Sequence, residues 1–181
     1  MTALWLLAVQ GIVGAFDTLY YHEWKAKLPA LGRRAAMELR LHAVRDFLYA
    51  ALFLGLALAE WRGVWALFVL TILVAEIVFT LWDFIVEVVV RKPLGDVYAG
   101  ERVTHAIMGI LYGAMLVVLL STLYSWWLLP SEVVSNEKIP ALLQWLLMIM
   151  GVGVSMSGIR DLYASFELPG GTWPWKVTLH T

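Results

Sequence analysis

Two stretches of the chain spell one pattern without a gap: Glu38-Leu-Arg-Leu-His42-Ala-Val-Arg-Asp-Phe-Leu-Tyr49-Ala and Glu101-Arg-Val-Thr-His105-Ala-Ile-Met-Gly-Ile-Leu-Tyr112-Gly. Each reads E-x-x-x-H-A-x-x-x-x-L-Y followed by a small residue. Positions four and seven apart share a helix face, so one stripe carries Glu38, His42, Arg45 and Tyr49, and another carries Glu101, His105, Met108 and Tyr112. Each copy follows a stretch that ends in acids: Phe16-Asp17 to His22-Glu23 before the first, and Glu76, Thr80, Asp83 and Glu87 before the second. Carboxylate and imidazole one turn apart, with no cysteine anywhere in the chain, make a ligand set for iron, manganese or zinc rather than copper(I).

The inventory suits a pair of divalent metals, iron or manganese favoured and zinc possible. Asp17 and Asp83 would be single carboxylates, Glu38/His42 and Glu101/His105 paired ligands, and His22, Glu23 and Glu87 further ligands or supports. At the first six of these positions the ligand logic resembles that of the ferritin-like di-iron proteins, which take a carboxylate from each of two helices and a Glu and His from each of two others. Those proteins use Glu-x-x-His. Here the spacing is Glu-x-x-x-His, which sets carboxylate and imidazole about 6 Å apart along the axis. With iron, oxygen chemistry on a lipid-soluble substrate such as a quinone, a fatty acyl chain or an isoprenoid is expected; Tyr49 and Tyr112, about two helical turns beyond each His, and Arg45 are the candidate catalytic groups.

Other readings stand beside this one. His42 and His105 could be the axial ligands of a b-type haem. The acids and imidazoles could relay protons or cations across a membrane. The chain could also be an accessory subunit of a larger membrane complex, with the polar cluster serving assembly. Arg45 with Asp46, and Arg160 with Asp161, read equally as buried charge pairs, and the two tyrosines as interhelical hydrogen bonds.

These residues must be positioned inside lipid. Of the 181 residues 61% are hydrophobic and only 15% charged, and mean hydropathy is +0.77, so a water-soluble core is excluded. A spanning helix needs about 20 mostly apolar residues. Five stretches qualify, near Ala3–Tyr21, Leu39–Glu60, Val64–Val90, Ile107–Trp127 and Pro140–Leu162. The opening stretch lacks a basic start and a cleavage site and reads as a retained helix. Lys25, Lys27, Arg33, Arg34, Arg40, Arg91, Lys92 and Arg102 flank the first and third loops, against Arg62 and Lys138 on the second and fourth. The N-terminus is therefore expected outside and the C-terminus, with Arg160 and Lys176, in the cytoplasm.

The expected fold is all-α: five transmembrane helices in a single membrane domain. Residues 1–60 and 61–128 form two repeat-related hairpins in a pseudo-two-fold bundle, and residues 129–181 add a polar loop, a fifth helix that only packs, and a tail. Trp24, Trp61, Trp126, Trp127, Trp173 and Trp175 sit near helix ends as interfacial anchors, and His180 reads as a tail residue. A multi-pass protein of a bacterial inner (plasma) membrane is expected, as a homo-oligomer or within a larger complex. With a net charge of −1 and no basic arm, nucleic acid is not a partner.

Overall fold

The computed structural model describes residues 1–175; Lys176 and His180 lie outside the described residues. Helix α1 spans Thr2–Phe16 and continues as a π-helical stretch, Asp17–Lys25. A 3₁₀ segment, Leu28–Ala35, leads into α2, Ala36–Leu58. Then come strand β1 (Ala59–Trp61), α3 (Trp65–Arg91), α4 (Ala99–Trp127), strand β2 (Val133–Ser135) and α5 (Ala141–Ser165). Five helical segments are long and apolar enough to cross a membrane, consistent with a multi-pass membrane protein.

Helix α4 begins eight residues before the apolar stretch that announced it, because the turn ahead of it supplies its start. Gly95 and Asp96 take positive φ, the Asp96 carboxylate accepts from its neighbour's N–H on Val97 (2.7 Å), and the Glu101 carboxylate accepts from the Tyr98 N–H (3.3 Å), satisfying one of the helix's free donors. The Val97 N–H, and then Arg102, hold the Asp96 carboxyl below its ordinary range. Glu101 is thereby fixed in the first turn of α4. The loop after α4, expected to be only polar, forms a strand instead: β2 pairs antiparallel with β1, Glu60 opposite Val134. Trp61, expected as an anchor, also donates its indole N–H to the Gly55 carbonyl at the end of α2 (3.0 Å).

Helix α2 packs most extensively on α5 and next on α3, while α1 packs chiefly on α4. Leu4, Leu7, Leu52, Leu56, Leu73, Met115, Leu119, Leu143 and Leu147 fill the half of the bundle away from the site. The small residues of α5 allow its approach to α2. A Cβ on Gly151 would lie 2.6 Å from the Leu54 Cγ, and one on Gly158 3.2 Å from the Ala43 carbonyl oxygen. Gly151→Val is accordingly expected to destabilise the bundle by about 1–3 kcal/mol through overpacking, read as a lower melting temperature in detergent. Gly153→Ala, whose Cβ meets nothing within 4 Å, should leave it unchanged.

Candidate metal centre

At the ends of the helices opposite the strand pair, side chains from all five helical segments converge. Asp17, His22, Glu38, His42, Asp83, Glu87 and Glu101 are buried, and His105 is nearly so. One donor atom from each of His22, Glu87, Glu101 and His105 lies within 4.8 Å of the other three. His22 Nε2 is 3.2 Å from Glu101 Oε1 and 3.4 Å from Asp17 Oδ2. His105 has a carboxylate at each nitrogen, Asp17 Oδ2 at 3.1 Å from Nε2 and Glu87 Oε2 at 3.6 Å from Nδ1. Ligands held about 2.1 Å from one ion are separated by about 3.0 Å in an octahedron and about 3.4 Å in a tetrahedron, so the shorter of these spacings suit ligands of one ion as well as imidazole–carboxylate hydrogen bonds, and the group as a whole would have to draw in by a few tenths of an ångström to close on an ion. Among the described residues, His22 Nε2, Asp17 Oδ1 and Glu87 Oε1 are buried with no hydrogen-bond partner. The two carboxylate oxygens fit a cation, which satisfies lone pairs without a hydrogen, and His22 Nε2 has only poorly aligned carboxylates within reach.

The local backbone explains why His22 is here. On α-helical spacing Asp17 would stack with Tyr21 and Trp24. The π-helical stretch hydrogen-bonds i to i+5, so Asp17 and His22 turn inward together while Trp24 is 63% exposed.

The other half of the cluster repeats this arrangement with a different outcome. His42 also stands between two carboxylates, Asp83 Oδ2 at 3.3 Å from Nε2 and Asp161 Oδ2 at 3.8 Å from Nδ1, and its ring stacks on that of His22 with centroids 4.6 Å apart. Here the acids have guanidinium partners, although Glu38 Oε2 and Asp83 Oδ1 are also buried without a hydrogen-bond partner among the described residues. Arg45 donates to Asp83, not to the neighbouring Asp46. Arg91 donates to Glu38 (2.8 Å) and to Glu101 (3.1 Å), tying the glutamates of the two sequence copies together. Arg160 pairs with Glu23 as well as Asp161, and the Trp175 indole N–H donates to Glu23 (3.2 Å).

Three contributors were not recognised from sequence. Arg91 counts as a loop charge there, yet it is 3% exposed; removing it leaves the loop asymmetry intact. Asp161 and Arg160 show that α5 supplies side chains to the cluster rather than only packing against it. The signal for Arg91 was available, since Glu38 and Glu101 in apolar surroundings require a nearby cation.

From the imidazoles a cavity of about 520 Å³ runs between the helices to Gln10, Tyr49, Glu76 and Tyr112. Tyr49 accepts a long hydrogen bond from Gln10 (3.4 Å) and Tyr112 donates one to the Leu73 carbonyl (3.4 Å). Glu76 accepts from Thr80 (2.6 Å). Neither tyrosine touches the imidazole cluster through a hydrogen bond; both face the far end of the cavity.

Compared with known proteins, the chain matches no family model, no curated protein and no solved structure. The site is a group of two histidines and two glutamates, His22, His105, Glu87 and Glu101, that could hold a metal ion, inside helices long and apolar enough to cross a membrane.

Proposed function

We propose that the protein is a membrane-embedded metalloprotein whose centre, His22, Glu87, Glu101 and His105 with Asp17 beside them, binds a divalent cation at the cytoplasmic side. The convergence of four donors from three helical segments within 4.8 Å carries this reading. Electrostatics supports it: among the described residues seven buried carboxylates of this cluster, Asp17, Glu23, Glu38, Asp83, Glu87, Glu101 and Asp161, face three guanidiniums, Arg45, Arg91 and Arg160, and three imidazoles, and surplus charge in an interior of low polarity is costly unless neutralised. Oxygen and nitrogen donors without thiolate favour iron or manganese, with zinc next. Such an ion, when bound, would supply redox or Lewis-acid chemistry, and the cavity would bring a lipid-soluble substrate beside it, so a membrane oxidoreductase is the activity proposed.

The repeat and its pseudo-two-fold arrangement are supported by matching contacts. Helix α1 packs on α4 as α3 does on α2, and His105 meets Asp17 as His42 meets Asp83. A symmetric second metal would use Glu38, His42 and Asp83, but Arg91 and Arg45 stand in its place. One tightly bound equivalent is therefore favoured over two. A haem bridging His42 and His105 is disfavoured, because each Nε2 faces an aspartate. Transport is disfavoured because the cavity lining stops at Gln10, Phe53, Glu76, Tyr112 and Ile149 and takes no residue from the strand-side ends of the helices.

Elemental analysis of the detergent-purified chain tests the proposal. About one metal equivalent is expected, lost in the His105→Ala, Glu101→Gln double variant, whereas a metal-free wild type would end the reading and two equivalents would restore the symmetric pair. Sidedness is checked by Arg34→Cys on the exposed 3₁₀ segment, which a membrane-impermeant thiol reagent should reach only from the cytoplasm.

A further inference from the structure

The polar end of the cavity is not used by the metal centre. Gln10 and Glu76 are 5% and 2% exposed, with Tyr49 and Thr80 as their hydrogen-bonding neighbours at the edge of the apolar half of the bundle. Gln10 Oε1 is buried and has no hydrogen-bond partner among the described residues, although Gln10 lines the cavity. An amide oxygen left unpaired in an apolar interior costs about 1–3 kcal/mol, so its retention calls for a partner. Tyr49 and Tyr112 stand edge to face beside it, ring centroids 6.2 Å apart, with one long hydrogen bond each among the described residues and the Glu76 carboxylate close to both. Donors (two phenols and the Gln10 amide N–H) and acceptors (Gln10 Oε1 and the Glu76 carboxylate) thus sit together on aromatic walls.

We propose that this end of the cavity binds the oxygen-bearing ring of a lipophilic quinone, with Gln10, Tyr49, Glu76 and Tyr112 addressing its oxygens. The mixture of partners selects the class. A hydrocarbon chain needs none of them and an alcohol needs few, whereas a quinone oxygen accepts hydrogen bonds when oxidised and donates one when reduced. The size suits it, since cavities of about 300–1,000 Å³ hold molecules of this kind. Access is lateral. The cavity wall includes Ala15 and Leu19 of the first helical segment and Ile149 and Gly153 of α5, all exposed on the face that lipid would cover. A Cβ at Gly153 would meet no atom within 4 Å, so the gap between these helices is open at that point. The inference deepens the metalloprotein reading by naming the substrate class, but it stands on different residues.

The test is saturation binding of a tritiated benzoquinone carrying a ten-carbon chain to the full chain in nanodiscs, with and without prior chelation. Saturable binding near one equivalent is expected. Gln10→Leu and Gly153→Leu should each weaken it at least about tenfold, the first by removing hydrogen bonds and the second by filling the lateral opening, with melting temperatures close to wild type. Dodecanol should not compete at equal concentration. Chelated protein should still bind, because the ring site shares no residue with the metal centre. No saturable binding to the metal-loaded wild type, undiminished binding in both variants, or equal competition by dodecanol would each overturn the proposal. Failure here with metal present leaves the metal reading standing, and quinone binding by a chain that never carries metal removes that reading alone.

Discussion

Replacing Arg91 with methionine is expected to destabilise the protein by about 3–5 kcal/mol, the range for stripping a buried charge of its partner. The guanidinium is 3% exposed and donates to Glu38 and Glu101, each 0% exposed. Without it two carboxylates face one another in a medium that screens neither, and Glu38 Oε2 already lacks a hydrogen-bond partner among the described residues. Thermal melting in detergent reads the loss. Adding Glu38→Gln should recover part of it by removing one of the charges. Divalent cations should stabilise Arg91→Met more than wild type, because Glu38 then becomes a free donor and Glu101 no longer shares its Oε1 between the ion and Arg91, and binding to the folded state raises its stability. A melting temperature unchanged by Arg91→Met would show that the pair is not the clamp inferred here.

That clamp marks the boundary between what the sequence disclosed and what it did not. The E-x-x-x-H stripe and the acids before each hairpin loop were legible because α-helical periodicity and the cost of burying charge act locally. They place Glu38, His42, Glu101 and His105 at one depth, and the structure brings them together. Arg91 was missed because counting loop charges assigns an arginine at a helix end to solvent, whereas α3 runs one residue past Val90 and turns Arg91 inward. Asp161 was hidden by an adjacent partner, Arg160, that seemed to account for it. Gln10, inside an otherwise apolar run, gives no sign from sequence of lining a cavity. The short strand pair depended on residues some 70 positions apart, a separation no local pattern records.

The π-helical stretch is the deepest of these gaps, and it carries the second large effect. His22→Ala is expected to lower divalent-metal affinity by more than about 100-fold, beyond the 10–100-fold seen when only a supporting partner of a ligand is lost. Tyr21→Phe and Trp24→Ala, at the positions that α-helical spacing would align with Asp17, should change it less than about threefold. The reason is the register: i to i+5 bonding rotates His22 inward, where its Nε2 lies within 3.4 Å of both Asp17 and Glu101 and its ring stacks on His42. Trp24 points outward. Competition of purified variants against a metal-binding dye gives the affinities, and circular dichroism confirms that each variant retains its helices. Equal affinity of His22→Ala and wild type would remove His22 from the centre. A larger loss in Tyr21→Phe would instead mean that the first segment reaches the metal in an ordinary α-helical register. The comparison therefore tests the backbone geometry and the ligand assignment together, since π-helical turns cluster at functional sites because they turn an otherwise misplaced side chain to the interior.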